Sequence, residues 1–142
     1  MITVRATRRM PSAGSHTVGA PDGGPGLPGT GWSREHGDLR VPHFLGLHAI
    51  QILPLLAGLL ARRVASSVRR VRAVMTVGAS YAALLGVLLT QALTGESVVA
   101  PSATTLAVLG AWLTATAAGL ALVLAPGRNG PGAHAADARA LR

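Results

Sequence analysis

The chain has 142 residues, of which 49% are hydrophobic and only 13% charged, and its formal net charge is +8. A soluble domain usually carries about 25% charged residues, and its core depends on aromatic and branched side chains. Here aromatic residues amount to 3%, which argues against a soluble core, and the lack of cysteine excludes disulfides, thiolate metal sites and Cys nucleophiles.

Residues 1–42 read as a flexible region. Between positions 13 and 31 stand seven Gly and three Pro. The glycines are not a phosphate-cradling loop, because no strand precedes them, no Lys-Ser/Thr follows, and the prolines remove amide donors. Three runs without Asp, Glu, Lys or Arg follow, at residues 43–61, 73–93 and 104–125. At about 1.5 Å rise per residue each is long enough to cross a hydrocarbon core of about 30 Å. A soluble three-helix bundle would show a polar face every 3.6 residues, and the second and third runs show none. The fold class expected is therefore all-α, an integral membrane bundle of three transmembrane helices. Residues 126–142, rich in Gly and Ala, read as a disordered tail.

Every basic residue is Arg, which fits the codon bias of a gene rich in G and C, and the arginines cluster beside the apolar runs. That is a topology signal, and it removes the nucleic-acid reading that the net charge alone invites. Residues 62–72 hold five Arg and no acid, whereas residues 94–103 hold one acid, Glu96, and no base. The positive-inside bias puts the first connection and the C-terminus in the cytoplasm, and Glu96 and the N-terminal region outside. The N-terminal region carries five Arg of its own and no apolar leader, so either this short stretch is translocated with the first helix or further helices lie upstream of Met1.

Polar residues inside the runs are the functional candidates. His43, His48 and Gln51 lie in the outer half of the first. At about 100° per residue His48 and Gln51 share a face, while His43 and His48 stand about 140° apart and cannot serve one site. The plain reading is that His43 is interfacial and that His48 and Gln51 hydrogen-bond a neighbouring helix. The alternatives are a haem on His48 or His43, or a proton or solute pathway. A haem requires a second ligand from another chain or helix, because Met75, the one further candidate, lies near the opposite surface. His16, His36 and His134 are too scattered for zinc, and no Ser-His-Asp set exists within the runs, so no residue is assigned as catalytic or metal-binding. Asp38 is expected to serve the N-terminus of the first helix rather than to pair with His43. Pro54 should bend that helix. Gln91 is read as interfacial, with cavity lining as the alternative.

Small residues recur every four positions at Gly78, Ala82, Gly86 and Thr90, and again at Ala107, Ala111, Ala115 and Gly119. Such stripes allow close helix approach in lipid, and the second and third helices are expected to pack as an antiparallel hairpin.

The segments Thr30-Gly31-Trp32-Ser33, Gly37-Asp38-Leu39-Arg40 and His43-Phe44-x-Gly46-Leu47-His48-x-x-Gln51-x-x-Pro54 together resemble a family of uncharacterised bacterial multi-pass membrane proteins. The resemblance covers about a quarter of the chain. It implies a bacterial inner-membrane location, an external Gly/Pro loop and additional helices, and it carries no activity with it. The reading is a small membrane component without catalysis of its own, whose partners are the bilayer and either copies of itself or other membrane subunits. Reporter fusions check the orientation: a cytoplasmic reporter is active at Ser66 and silent at Glu96, and the reverse pattern inverts the topology.

Overall fold

The three apolar runs each become one helix, because in hydrocarbon a helix is the way a single segment pairs its own backbone groups. In the computed structural model, which describes residues 16–22 and 26–125, the helices are α1 (Arg40–Arg63), α2 (Ser67–Leu93) and α3 (Ala103–Leu124). All three are long and apolar enough to cross a membrane. Two short strands, β1 (Thr17–Val18) and β2 (Gly37–Asp38), pair antiparallel ahead of α1. The tail expected at residues 126–142 lies outside the described residues.

The helices outrun the charge-free segments. α2 begins six residues before the expected position 73, with Arg69, Arg70 and Arg72 in its opening turns. Arginine is a good helix former whose stem lies along apolar surface while its head stays wet, so charge marks the edge of the hydrocarbon and not the end of the helix. The connection from α1 thereby shrinks to residues 64–66. Ser66 caps α2, its Oγ accepting from the Arg69 N–H at 3.4 Å, and Ser102 caps α3 through the Thr105 N–H at 3.2 Å.

The C-terminus of α2 ends in a Schellman motif. Gly95 sits at φ +78°, its N–H bonds the Ala92 carbonyl, and the Glu96 N–H bonds the Gln91 carbonyl. Glu96 then turns to α3. Its carboxylate accepts from the Ser102 N–H and, at 2.6 Å, from the Thr105 hydroxyl. These two bonds hold the carboxyl below its usual range, the Thr105 hydroxyl being the larger cause.

α2 and α3 pack antiparallel, as the matched pairs Thr76–Gly119 and Ser80–Thr116 require. Their contact is fastened by a closed polar ring. The Trp112 indole N–H donates to the Ser80 carbonyl at 2.8 Å, and the Thr116 hydroxyl donates to the Trp112 carbonyl at 2.8 Å. The Ser80 hydroxyl is therefore the donor in its 2.6 Å bond to Thr116. On α1, the Tyr81 hydroxyl donates to the Leu45 carbonyl at 2.5 Å.

Ser80 and Tyr81 are consecutive and so point about 100° apart, one to α3 and one to α1. α2 packs against both neighbours, while α1 and α3 make no comparable contact with each other. The helices thus form an open row with α2 in the middle, and among the described residues the buried apolar side chains are Val41, Pro42, Ala73 and Ala92. A row held by few contacts should register the loss of one. Tyr81→Phe and Trp112→Phe should each lower the unfolding free energy in detergent by about 0.6 kcal/mol, a typical worth for an interhelical hydrogen bond in lipid. Gly119→Leu, whose side chain meets Thr76 Cγ2, should cost more than either. A denaturant titration of the purified protein measures all three.

Candidate functional site

Polar side chains gather at one end of the row, in a cap formed by residues 16–22 and 26–39 over the N-terminal end of α1 and the C-terminal end of α2. The glycine- and proline-rich stretch reads as a loop without fixed structure, yet its described residues follow a hydrogen-bonded path. Residues 26–33 form a tight loop, with Gly26 bridged to Ser33, the Leu27 N–H on the Trp32 carbonyl and the Gly31 N–H on the Leu27 carbonyl. Asp22 accepts from the N–H groups of His16 and Thr17, and the Leu39 N–H bonds the His16 carbonyl.

Asp38 joins these parts. It is 3% exposed. Its carboxylate accepts from the Ser33 N–H at 2.8 Å, from the Arg40 N–H at 3.0 Å, and from the Arg40 guanidinium at 3.0 and 2.6 Å. The same guanidinium donates to the Gly31 carbonyl at 2.7 Å. One ion pair thereby closes the loop, pairs the first backbone N–H of α1 and orients Arg40. Burial pushes the Asp38 carboxyl up, but the Arg40 side chain and the two backbone N–H groups outweigh it and hold the carboxyl below its usual range.

The cap docks on α2 through Gly37, where any Cβ would overlap the Ala92 carbonyl oxygen. Gln91 is buried beside it. Its Nε2 donates to the Ser97 carbonyl at 2.9 Å, and Ser97 Oγ lies 3.5 Å from the Ser33 carbonyl. Gln91 is thus part of the scaffold that holds the α2–α3 connection to the cap. Sequence reasoning passed over Ser97, which carries no signal of its own, and met Ser33 only as part of the Thr30–Ser33 segment.

From the cap an aromatic file runs down α1. Trp32 meets the Phe44 ring edge to face at 5.9 Å, and Phe44 lies 4.2 Å from the His48 ring. His48 Nδ1 is 2.7 Å from the Phe44 carbonyl of its own helix, and because a carbonyl only accepts, this nitrogen carries a proton. Gln51, one turn further, is exposed and makes no hydrogen bond among the described residues. The side of α1 that meets α2 is defined by Pro42, Leu45, Ala49, Leu53, Leu56 and Leu60, the less exposed positions. Phe44, His48, Gln51 and Leu55 lie on the opposite side. His43, exposed and about 140° from His48, borders a shallow cleft with Leu85 and Leu89.

The small residues divide. Gly119 meets Thr76, while Ala107, Ala111 and Ala115 are exposed; the less exposed side of α3 runs through Thr105, Leu109, Trp112, Thr116 and Gly119. On α2, Gly78 is partly exposed and Ala82 and Gly86 are exposed. Gly86 borders an open cleft of about 830 Å³ between α2 and α3, with Thr90, Gln91, Glu96 and Thr105 at its cap end. Two of the hydroxyls there are already bonded, Thr90 to the Gly86 carbonyl and Thr105 to Glu96. His134 lies outside the described residues, and among those described no group of three His, Asp or Glu converges as a metal site.

Compared with known proteins, the chain matches no family model, no curated protein and no solved structure.

The cap's dependence on Asp38 is measurable by hydrogen exchange. A carboxyl whose folded pKa is depressed stabilises the fold above its unfolded value, and that contribution is lost as pH falls through the lower folded value. Protection of the Ser33 and Leu39 amides should therefore persist through about pH 5 and fall away below about 3.9. Asp38→Asn should exchange on the order of tenfold faster at neutral pH, as expected for loss of charge-assisted bonds.

Proposed function

We propose that this protein is a non-catalytic component of a membrane assembly and that it acts by packing the Phe44–His48–Gln51–Leu55 side of α1 against another helix, from a second copy or a different subunit. The observation that carries this reading is Gln51, an exposed carboxamide within an apolar helix, on the side turned away from α2 and without a hydrogen-bond partner among the described residues. Polar groups at such depth usually face protein, because hydrocarbon offers them nothing to bond. His48 Nε2, an acceptor in the neutral ring and one turn away, gives the same side a complementary pair of functions: Gln51 donates and accepts, and neutral His48 accepts.

The motif residues Trp32, Asp38, Arg40, Phe44, His48 and Gln51 carry the likeness to bacterial multi-pass membrane proteins, and all of them belong to the cap or to this side of α1. That supports a shared role for them as one external and one intramembrane contact surface. The excess of arginine at the opposite end supports an orientation in a bacterial inner membrane with the cap outside and the C-terminus in the cytoplasm.

A second reading has one observation in its favour. With Nδ1 tied to the Phe44 carbonyl, His48 presents Nε2 as an axial ligand does, and a haem bridging to another chain would make the protein an electron-transfer subunit. Oxidised and dithionite-reduced visible spectra of the purified protein decide for it if a Soret band shifts on reduction and disappears in His48→Ala.

Packing is tested by single-cysteine cross-linking, for which the cysteine-free chain is a clean background. In native membranes Leu55→Cys should form a disulfide or maleimide cross-link to a neighbouring chain, and Leu122→Cys on α3 should not. His48→Leu with Gln51→Leu should abolish that cross-link while leaving the helical content unchanged. Equal cross-linking at both positions, or none at either, contradicts the assignment of this side as the contact.

A further inference from the structure

The end of the row opposite the cap is basic throughout. α1 closes on Arg62 and Arg63, and α2 opens with Arg69, Arg70 and Arg72. The acidic residues among those described, Asp22, Glu35, Asp38 and Glu96, all belong to the cap or to the α2–α3 connection. Among the described residues no carboxylate is therefore placed to neutralise these five arginines.

Directly below the α1–α2 connection lies a cleft of about 340 Å³ lined by Ala57 and Ala61 on α1 and by Arg70, Val71, Val74 and Met75 on α2. The two alanines keep the α1 wall low. Val71 and Met75, 63% and 69% exposed, leave the cleft open sideways to the hydrocarbon. Its volume is less than one turn of a helix about 10 Å across, so it fits a thin, flexible occupant and not a partner helix. Arg70 is its one charged lining residue. Its guanidinium reaches from α2 to the Ala61 carbonyl, a long bond of 3.4 Å from one of five N–H donors, and it makes no other side-chain bond among the described residues. The guanidinium thus stands at the mouth of an apolar slot with most of its donors available. The N-terminus of α2, capped by Ser66, adds partial positive charge at the same level.

We propose that this cleft binds an anionic phospholipid, with the phosphate on Arg70 and one acyl chain lying along Ala57, Ala61, Val74 and Met75. Charge selects the headgroup. An uncompensated cluster of arginines at the depth of the headgroups attracts anionic lipid at about fivefold per charge, and a planar guanidinium matches two phosphate oxygens. The slot selects a lipid over a soluble anion, since below Arg70 it offers only apolar atoms and opens into the bilayer. The site is separate from the outward side of α1, and its success or failure says nothing about the packing role proposed for His48 and Gln51.

The test is native mass spectrometry of the full chain released from detergent containing equal amounts of phosphatidylglycerol and phosphatidylcholine with identical acyl chains. One phosphatidylglycerol should be retained at least about fivefold over phosphatidylcholine. Arg70→Gln should cut that retention about fivefold, and Ala61→Phe, which fills the slot without changing charge, should cut it as well. Arg34→Gln, at the cap end, should leave it unchanged. Millimolar glycerol phosphate should not displace the lipid, and displacement would reduce the site to one for soluble anions. Equal retention of the two lipids, or retention that survives both Arg70→Gln and Ala61→Phe in variants with native helical content, overturns the proposal.

Discussion

A polar group in hydrocarbon that lacks a partner is costly, and water is not there to supply one. The α2–α3 contact answers that constraint by closing its polar groups on themselves. Ser80, Trp112 and Thr116 form a ring in which each donor meets an acceptor of the same ring. Thr76, Thr90 and Thr114 turn their hydroxyls back to carbonyls four residues earlier in their own helices. Among the described residues no buried side-chain nitrogen or oxygen lacks a partner. Because lipid is as apolar as leucine, burial gives these helices little reason to associate, and such bonds with close packing have to hold the row together. Gln51, exposed within α1, stands outside this pattern, and the packing proposed for that side of α1 rests on it.

The open row places a second demand on the cap. Among the described residues α1 packs on one helix, α2, along one side, with the Tyr81 hydroxyl on the Leu45 carbonyl and Arg70 on the Ala61 carbonyl as the polar links. The cap adds a route that bypasses the helix contact, running from Arg40 through Asp38 to Ser33, and from Gly37 and Ser33 onto the C-terminal end of α2 and Ser97. Its strength is concentrated in one buried carboxylate. The cap therefore pairs the first backbone N–H of α1 and joins the start of that helix to the end of α2. The aromatic file from Trp32 through Phe44 to His48 makes the same link along the outward side.

Helix number, order and approximate length are legible in the sequence because uninterrupted apolar length is a direct consequence of the bilayer. The start of α2 is not, since the edge of an apolar run and the first turn of a helix are different physical boundaries wherever arginines can reach back to water. The stripe Ala107, Ala111, Ala115 has the form of a packing signal, but in a chain this rich in alanine small residues occur on every side. The less exposed side of α3 instead follows Trp112 and Thr116, whose polar atoms can be paired there. Asp38 is visible as an acid beside a helix start. Its role as a hub depends on donors from Ser33 and Arg40 that only the folded loop brings together, and the value of Gly37 depends on Ala92, which is remote in the chain. His48 and Gln51 are legible as polar residues in an apolar run, whereas the direction they face is a tertiary property.

The side of α1 that carries Gln51 is free of the chain's other helices because the helices stand in a row, with α2 between α1 and α3. Leu47 and Leu113 are exposed and lie near the depth marked by Leu45, Tyr81 and Trp112. Spin labels on Leu47→Cys and Leu113→Cys, with labelled protein diluted in unlabelled, give the separation by double electron–electron resonance. Neighbouring helices pack at about 8–10 Å, so with α1 and α3 about 100° apart around α2 their axes stand roughly 12–15 Å apart. A label distance consistent with that spacing is the result expected; one that requires α1 and α3 to be in direct contact, at a single interhelical spacing, contradicts the row.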